Sequence, residues 1–105
     1  MKLVNALSLQ MVGDADTFGW QGRRITAEEA TSLFKEEGLE SFVGHTDTAT
    51  VVSGLLGLPV PFHRGFVTLE PGETLVVAQV WGGRLPEGTT TLPDGVEIRF
   101  WLVQA

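Results

Sequence analysis

The segment Val43-Gly44-His45-Thr46-Asp47-Thr48 sets an imidazole where an apolar run gives way to polar, helix-starting residues. Histidine exchanges a proton near neutral pH without special surroundings. The first backbone N–H groups of a helix have no intrahelical acceptor, and they attract phosphate. A proton donor beside a phosphate cradle is equipment for phosphodiester chemistry. Gly44 permits close approach of the backbone to a ligand. Thr46, Asp47 and Thr48 can cap the helix and present its N–H groups. Asp47 itself reads as the helix cap in preference to a catalytic carboxylate.

A guanidinium grips a phosphate with two parallel hydrogen bonds, which an ammonium does not. Arg64 and Arg84 stand in loops near apolar strands and are the candidates for that role, set against the plainer reading of surface arginines. Arg23-Arg24 ranks lower. Glu87 follows Arg84 in a loop that also holds Gly82, Gly83, Pro86 and Gly88. It can form a local ion pair, orient Arg84, or orient a substrate hydroxyl. Asn5 and Ser8 close the first strand; each can cap a short helix or hydrogen-bond a base edge or ribose. His63 invites a mechanism with one imidazole as base and the other as acid. It lies between prolines and Arg64, without a clear orienting partner.

The elements that position these residues follow from local signals. Lys2–Leu7 reads as a strand, and Ser8–Val12 as a helical turn capped by Ser8. Phe18–Ile25 reads as a strand with an exposed turn at Gly22-Arg23-Arg24. Thr26 and Glu29 form a capping box that opens a helix to about Glu37, stopped by Gly38. Leu39–Val43 is the next strand. Asp47–Leu56 is a helix with Ala49, Val52, Leu55 and Leu56 on one face, ended by Gly57. Gly65–Leu69 and Thr74–Val80 read as a hairpin around Glu70-Pro71-Gly72-Glu73. Gly82–Asp94 is a long loop. Val96–Val103 closes the chain, with Val96, Ile98, Phe100 and Leu102 on one face. Strands mixed with two helices predict a single α/β domain over residues 1–105 with a mixed sheet.

Composition narrows the function classes. The chain has 105 residues, of which 43% are hydrophobic, enough for one domain with a core and too apolar for general disorder. It has no cysteine, which excludes disulfides, thiolate zinc sites and a cysteine nucleophile. Two histidines without HxxxH or HExxH spacing predict no metal and no cofactor. A net charge of −6 argues against a general binder of long nucleic acid, which needs an extended basic face. A small anion held in a local basic pocket is compatible with it. No apolar run reaches membrane-spanning length, and residues 1–12 carry no secretory pattern. The expectation is a cytoplasmic protein with no membrane partner.

Several short motifs together resemble a known family. They are Val4-Asn5-Ala6-Leu7-Ser8, Gly44-His45-Thr46 with Thr48-Ala49, Leu56-Gly57, Arg64, Gln79 with Arg84-Leu85-Pro86-Glu87-Gly88, and Phe100-Trp101-Leu102-Val103. In order and spacing they are similar to the viral type III anti-CRISPR ring nucleases, found in archaeal viruses with relatives in bacteria, phages and mobile elements. Residues 13–42 contribute little. The resemblance implies a homodimeric α/β protein with a central five-stranded mixed sheet. It implies metal-independent degradation of cyclic tetra-adenylate, the second messenger of type III CRISPR complexes. Carried over by position, His45 would be the general acid, with Arg84 and Glu87 in the active site. Asn5, Ser8, Gly44, Thr46 and Arg64 would lie around the bound ring. Many relatives are expected to carry a different polar residue at the position of His63.

Two other classes compete. One is a non-catalytic sponge for a cyclic nucleotide, or a small regulatory interaction module of a mobile element. The other is a general ribonuclease using His45 and His63, which the net charge of −6 disfavours.

Overall fold

The computed structural model describes residues 1–105, and the elements are β1 (Lys2–Val4), a short 3-10 helix (Leu9–Val12), β2 (Gln21–Ile25), α1 (Ala27–Glu37), β3 (Glu40–Phe42), α2 (Thr46–Leu56), β4 (Thr74–Trp81) and β5 (Glu97–Gln104). The five strands form one mixed sheet in the order β2-β5-β4-β1-β3. The α/β architecture with a mixed sheet is the one predicted. β1 runs parallel to both β3 and β4, so these three strands share one direction. β5 is antiparallel to β4 and to β2.

Alternation along the strands divides the core into two layers. On one face Leu3, Val76, Ala78 and Phe100 pack with Ala30 and Phe34 of α1 and Ala49, Val52 and Leu56 of α2. On the other, Val4, Leu75, Val77 and Val103 pack under Met11, Val67 and Leu69. Both helices therefore cover the same face. The opposite face has no α-helix: the 3-10 helix, an extended strap of residues 62–69 and Trp20 pack on it.

Local chemistry accounts for the helices. The Thr26 hydroxyl accepts the Glu29 N–H at 3.0 Å, while the Glu29 carboxylate accepts the Thr26 N–H at 3.2 Å. This is the predicted capping box. Ser8 caps the 3-10 helix, its hydroxyl accepting the Gln10 N–H at 3.2 Å. Gly57 ends α2. No helix is long and apolar enough to cross a membrane.

Four expectations are corrected. Residues 65–69 form no strand and no hairpin with β4. The two sides of β4 are taken by β1 and β5, so a third pairing is geometrically closed. The segment is instead tied at its ends, by His63 N–H to the Val43 carbonyl at 3.0 Å and Leu69 N–H to the Met11 carbonyl at 2.8 Å. β1 stops at Val4 instead of Leu7. Gly22-Arg23-Arg24 is not a turn: it lies within β2, in register with Val103, Leu102 and Trp101. Asp47 is not the cap of α2. That position belongs to His45, whose side chain makes no capping bond.

Candidate functional site

The three parallel strands deliver their following residues to one edge of the sheet. Asn5 follows β1, Val43-Gly44-His45 follows β3, and Gly82-Gly83-Arg84 follows β4. Ligand crevices in α/β folds form outside the carboxyl ends of parallel strands, because loops and helix N-termini converge there. Asn5, His45, Asp47, Thr48, Gln79 and Arg84 line a cleft of about 450 Å³ at this edge. His45 and Arg84, distant in sequence, thus line one cavity. Neither is in an ion pair.

Each wall is held by hydrogen bonds that reach across the chain. The Asn5 side-chain carbonyl accepts the Gly44 N–H at 3.2 Å, tying β1 to the end of β3. Arg64 Nε donates to the Gly44 carbonyl at 3.2 Å. Gly44 is therefore gripped on both its polar groups, immediately before His45. The Asp47 carboxylate accepts the Gly88 N–H at 3.2 Å, fastening the Arg84 loop to the first turn of α2. An acidic group in that turn is favourable to the helix dipole. Because no side chain caps α2, its first N–H groups remain available to an acceptor at the cleft.

β4 ends in a conformation that aims this loop. Gly82 has φ +91°, and a Cβ there would collide with the Gly95 carbonyl oxygen. Glycine is the residue that accepts both constraints. Arg84 follows two residues later.

A second cavity of about 230 Å³ adjoins the first, and Asn5 lines both. Ser8, Gly44 and Arg64 form part of its wall with Gln10, Phe42 and Phe66. The predicted residues thus divide between two neighbouring cavities: His45 and Arg84 in one, Ser8, Gly44 and Arg64 in the other, Asn5 between them. Thr46 and Glu87 are exposed and line neither. Arg84 and Glu87 form no ion pair. Thr48 and Gln79 join the first cleft without having been singled out as site residues; their positions after His45 and near the end of β4 were the available signal.

His63 stands apart from His45. Its Nδ1 lies 2.9 Å from the Ser41 carbonyl, which only accepts, so this nitrogen carries the proton. Its ring packs on Phe42 with centroids 5.0 Å apart. It lines neither cavity. The arrangement is that of a side chain anchoring the strap to β3. No cluster of histidine and carboxylate groups is placed to hold a metal ion.

The uncovered part of the second sheet face is aromatic. Trp20, Trp81, Trp101 and Phe18 line a depression of about 530 Å³, which also includes Gln79 of the first cleft and Ala6 of the second cavity. Phe18 and Trp81 are each more than half exposed. The Arg99 guanidinium lies 3.9 Å from the Trp81 ring centroid and is paired with Glu97 at 2.6 Å.

The chain belongs to the STIV B116-like family, whose model it matches over residues 1–99. Its fold is similar to that of B116 of Sulfolobus turreted icosahedral virus, with a TM-score of 0.78 and 24% sequence identity. The match covers 99% of this chain and 97% of the viral one. At that identity the likeness establishes the fold. No curated protein sequence matches the chain.

Proposed function

We propose that this member of the STIV B116-like family is a metal-independent ring nuclease. It cleaves cyclic tetra-adenylate to linear di-adenylate ending in a 2′,3′-cyclic phosphate, and so switches off type III CRISPR signalling. The observation that carries the reading is the joint placement of His45 and Arg84 around one cleft at the carboxyl edge of β1, β3 and β4. The resemblance of the motifs supplies the substrate.

Ribose brings its own nucleophile to this chemistry. The 2′-hydroxyl oxygen attacks the adjacent phosphorus in line with the departing 5′-oxygen. The new bond is O2′–P, the broken bond is P–O5′, and the hydroxyl proton passes to solvent. His45, as imidazolium, protonates the leaving 5′-oxygen. Acid catalysis of this kind contributes about 10²–10⁴-fold. Arg84 and the first N–H groups of α2 stabilise charge on the phosphorane. Arg64, Ser8, Asn5, Gly44 and Thr46 hold the rest of the ring. Glu87, on the loop that Asp47 fastens, orients the ribose hydroxyl. No water is consumed in the cleavage, and no metal is needed.

A homodimer belongs to this proposal. A cyclic tetranucleotide is close to four-fold symmetric, so a two-fold pair of chains offers the same groups to opposite phosphates. The exposed aromatic face supports such pairing, since apolar patches of this kind mark interaction surfaces. That face is continuous with the cleft through Gln79 and with the second cavity through Ala6. The proposal requires the two-fold axis to set the carboxyl edges of the two copies side by side, with both His45 residues facing one ligand. Two cuts would then release two dinucleotides.

The test is incubation with labelled cyclic tetra-adenylate in EDTA, beside His45→Ala. Turnover to di-adenylate with a cyclic phosphate, lost in the variant, supports the proposal. An intact ring that stays bound would instead favour the sponge.

A further inference from the structure

We propose that the cavity beside the His45 cleft is a nucleobase subsite, in which a purine lies with its face on Phe66. This rests on the ring-nuclease reading and specifies how the ligand is held. The cavity is about 230 Å³, below the roughly 300–1,000 Å³ typical of drug-sized ligands, and so matches one base better than a whole nucleotide. It adjoins the cleft through Asn5, which lines both. A phosphate seated at His45 and Arg84 therefore has its neighbouring base within reach of this second space.

Phe66 is the observation that points to a base. It is 69% exposed, while Val67 and Leu69 of the same strap are buried in the second core layer. Folding needs no aromatic ring at that outward position. The ring nevertheless sits on a rigid mount. A Cβ on the preceding Gly65 would lie 3.0 Å from Phe42 Cδ1 and from His63 Cε1, so the strap backbone is packed closely against that tilted pair. Backbone bonds from His63 to Val43 and from Leu69 to Met11 fix it on both sides. A solvent-facing ring on a tethered backbone is what a base stacks on, and a purine offers it the larger face.

The rest of the wall suits the edge of a base. Ser8 and Gln10 bring a hydroxyl and an amide, which can donate and accept. Arg64 uses Nε on the Gly44 carbonyl, which leaves its two terminal nitrogens for the ligand.

The test uses the full chain with His45→Ala, so that the ring stays intact, and cyclic tetra-adenylate carrying one 2-aminopurine. The expected result is quenching of the probe on binding. Adding Phe66→Ala should remove much of the quenching and weaken binding on the order of tenfold or more. Phe66→Tyr should restore both. Circular dichroism confirms that each variant is folded. Unchanged affinity and quenching in the Phe66→Ala variant would overturn the subsite while leaving the ring reading intact. Failure of the His45→Ala protein to bind the ring at all would overturn the ring reading, and the subsite with it.

Discussion

The Asp47 carboxylate accepts the backbone N–H of Gly88 at 3.2 Å, across 41 residues of sequence. One end of this bond is in the first turn of the helix that His45 heads; the other is in the loop that carries Arg84 and Glu87. The general acid and the phosphate-binding arginine of the proposed reaction are thus held in relation by a single side chain. Asp47→Ala should free the loop. Its stability cost is expected to be small, about 0.5–1.5 kcal/mol for one hydrogen bond. Hydrogen exchange at the Gly88 amide should quicken markedly and turnover should fall. Asp47→Asn keeps an acceptor and should recover most of both.

Asn5 does for β1 and β3 what Asp47 does for α2 and the loop. Its side chain satisfies the Gly44 N–H, a partly buried donor. Asn5→Ala leaves that donor unpaired, at a cost of about 1–3 kcal/mol. Urea unfolding should register the loss as a lower midpoint with an unchanged slope.

Gly82 bears a sharper constraint. Any side chain there combines an unfavourable positive φ with a collision at the Gly95 carbonyl. Gly82→Ala should cost at least about 1–3 kcal/mol from backbone strain alone. Because Arg84 follows so closely, ligand binding should weaken as well. A fully stable Gly82→Ala protein, measured by thermal unfolding, would contradict the described geometry.

Acid should loosen α1 through Glu29. The Thr26 backbone N–H holds the Glu29 carboxyl below its usual value, partial desolvation opposes this, and Arg23 adds to the lowering. A carboxyl depressed in the folded state contributes stability above its unfolded value and loses it as pH falls through the folded one. Glu29→Gln removes the titrating group. The stability gap between the native protein and Glu29→Gln should therefore shrink steadily as pH is lowered through the acidic carboxylate range, in parallel thermal melts. A gap that widens with acid would reverse the assigned sign.

What was legible in the sequence follows the range of each interaction. The α1 capping box is complete within Thr26–Glu29, so residue types alone define it. The alternation of β5 likewise placed Phe100 on one face and Val103 on the other, which the two core layers match. The partner of β4 was not legible. Val67 and Leu69 are buried on either side of a half-buried Thr68, as in a strand, yet the pairing of β4 with β1 and β5 excludes the segment from the sheet. Asp47 has the composition of a cap, but composition states what a carboxylate can accept and not which N–H arrives. His45 and Arg84 were identified from residue type and loop position; that they share a cleft depends on β1, β3 and β4 being parallel.

The aromatic sheet face makes its own prediction. If it joins two copies, Trp101→Glu should shift the protein from dimer to monomer in sedimentation and abolish turnover, since each ring would then meet only half of its site. A monomeric native protein would contradict the shared cleft.

The central claim is that His45 donates the proton in a metal-independent cleavage of a cyclic oligoadenylate. The most direct measurement follows labelled cyclic tetra-adenylate in EDTA under single-turnover conditions, with the native protein and His45→Ala compared at saturating protein. The account predicts di-adenylate bearing a 2′,3′-cyclic phosphate from the native protein. It predicts a rate lower by about 10²–10⁴-fold in His45→Ala, with binding of the ring largely kept. An intact ring with the native protein, or equal rates in the two proteins, would contradict it.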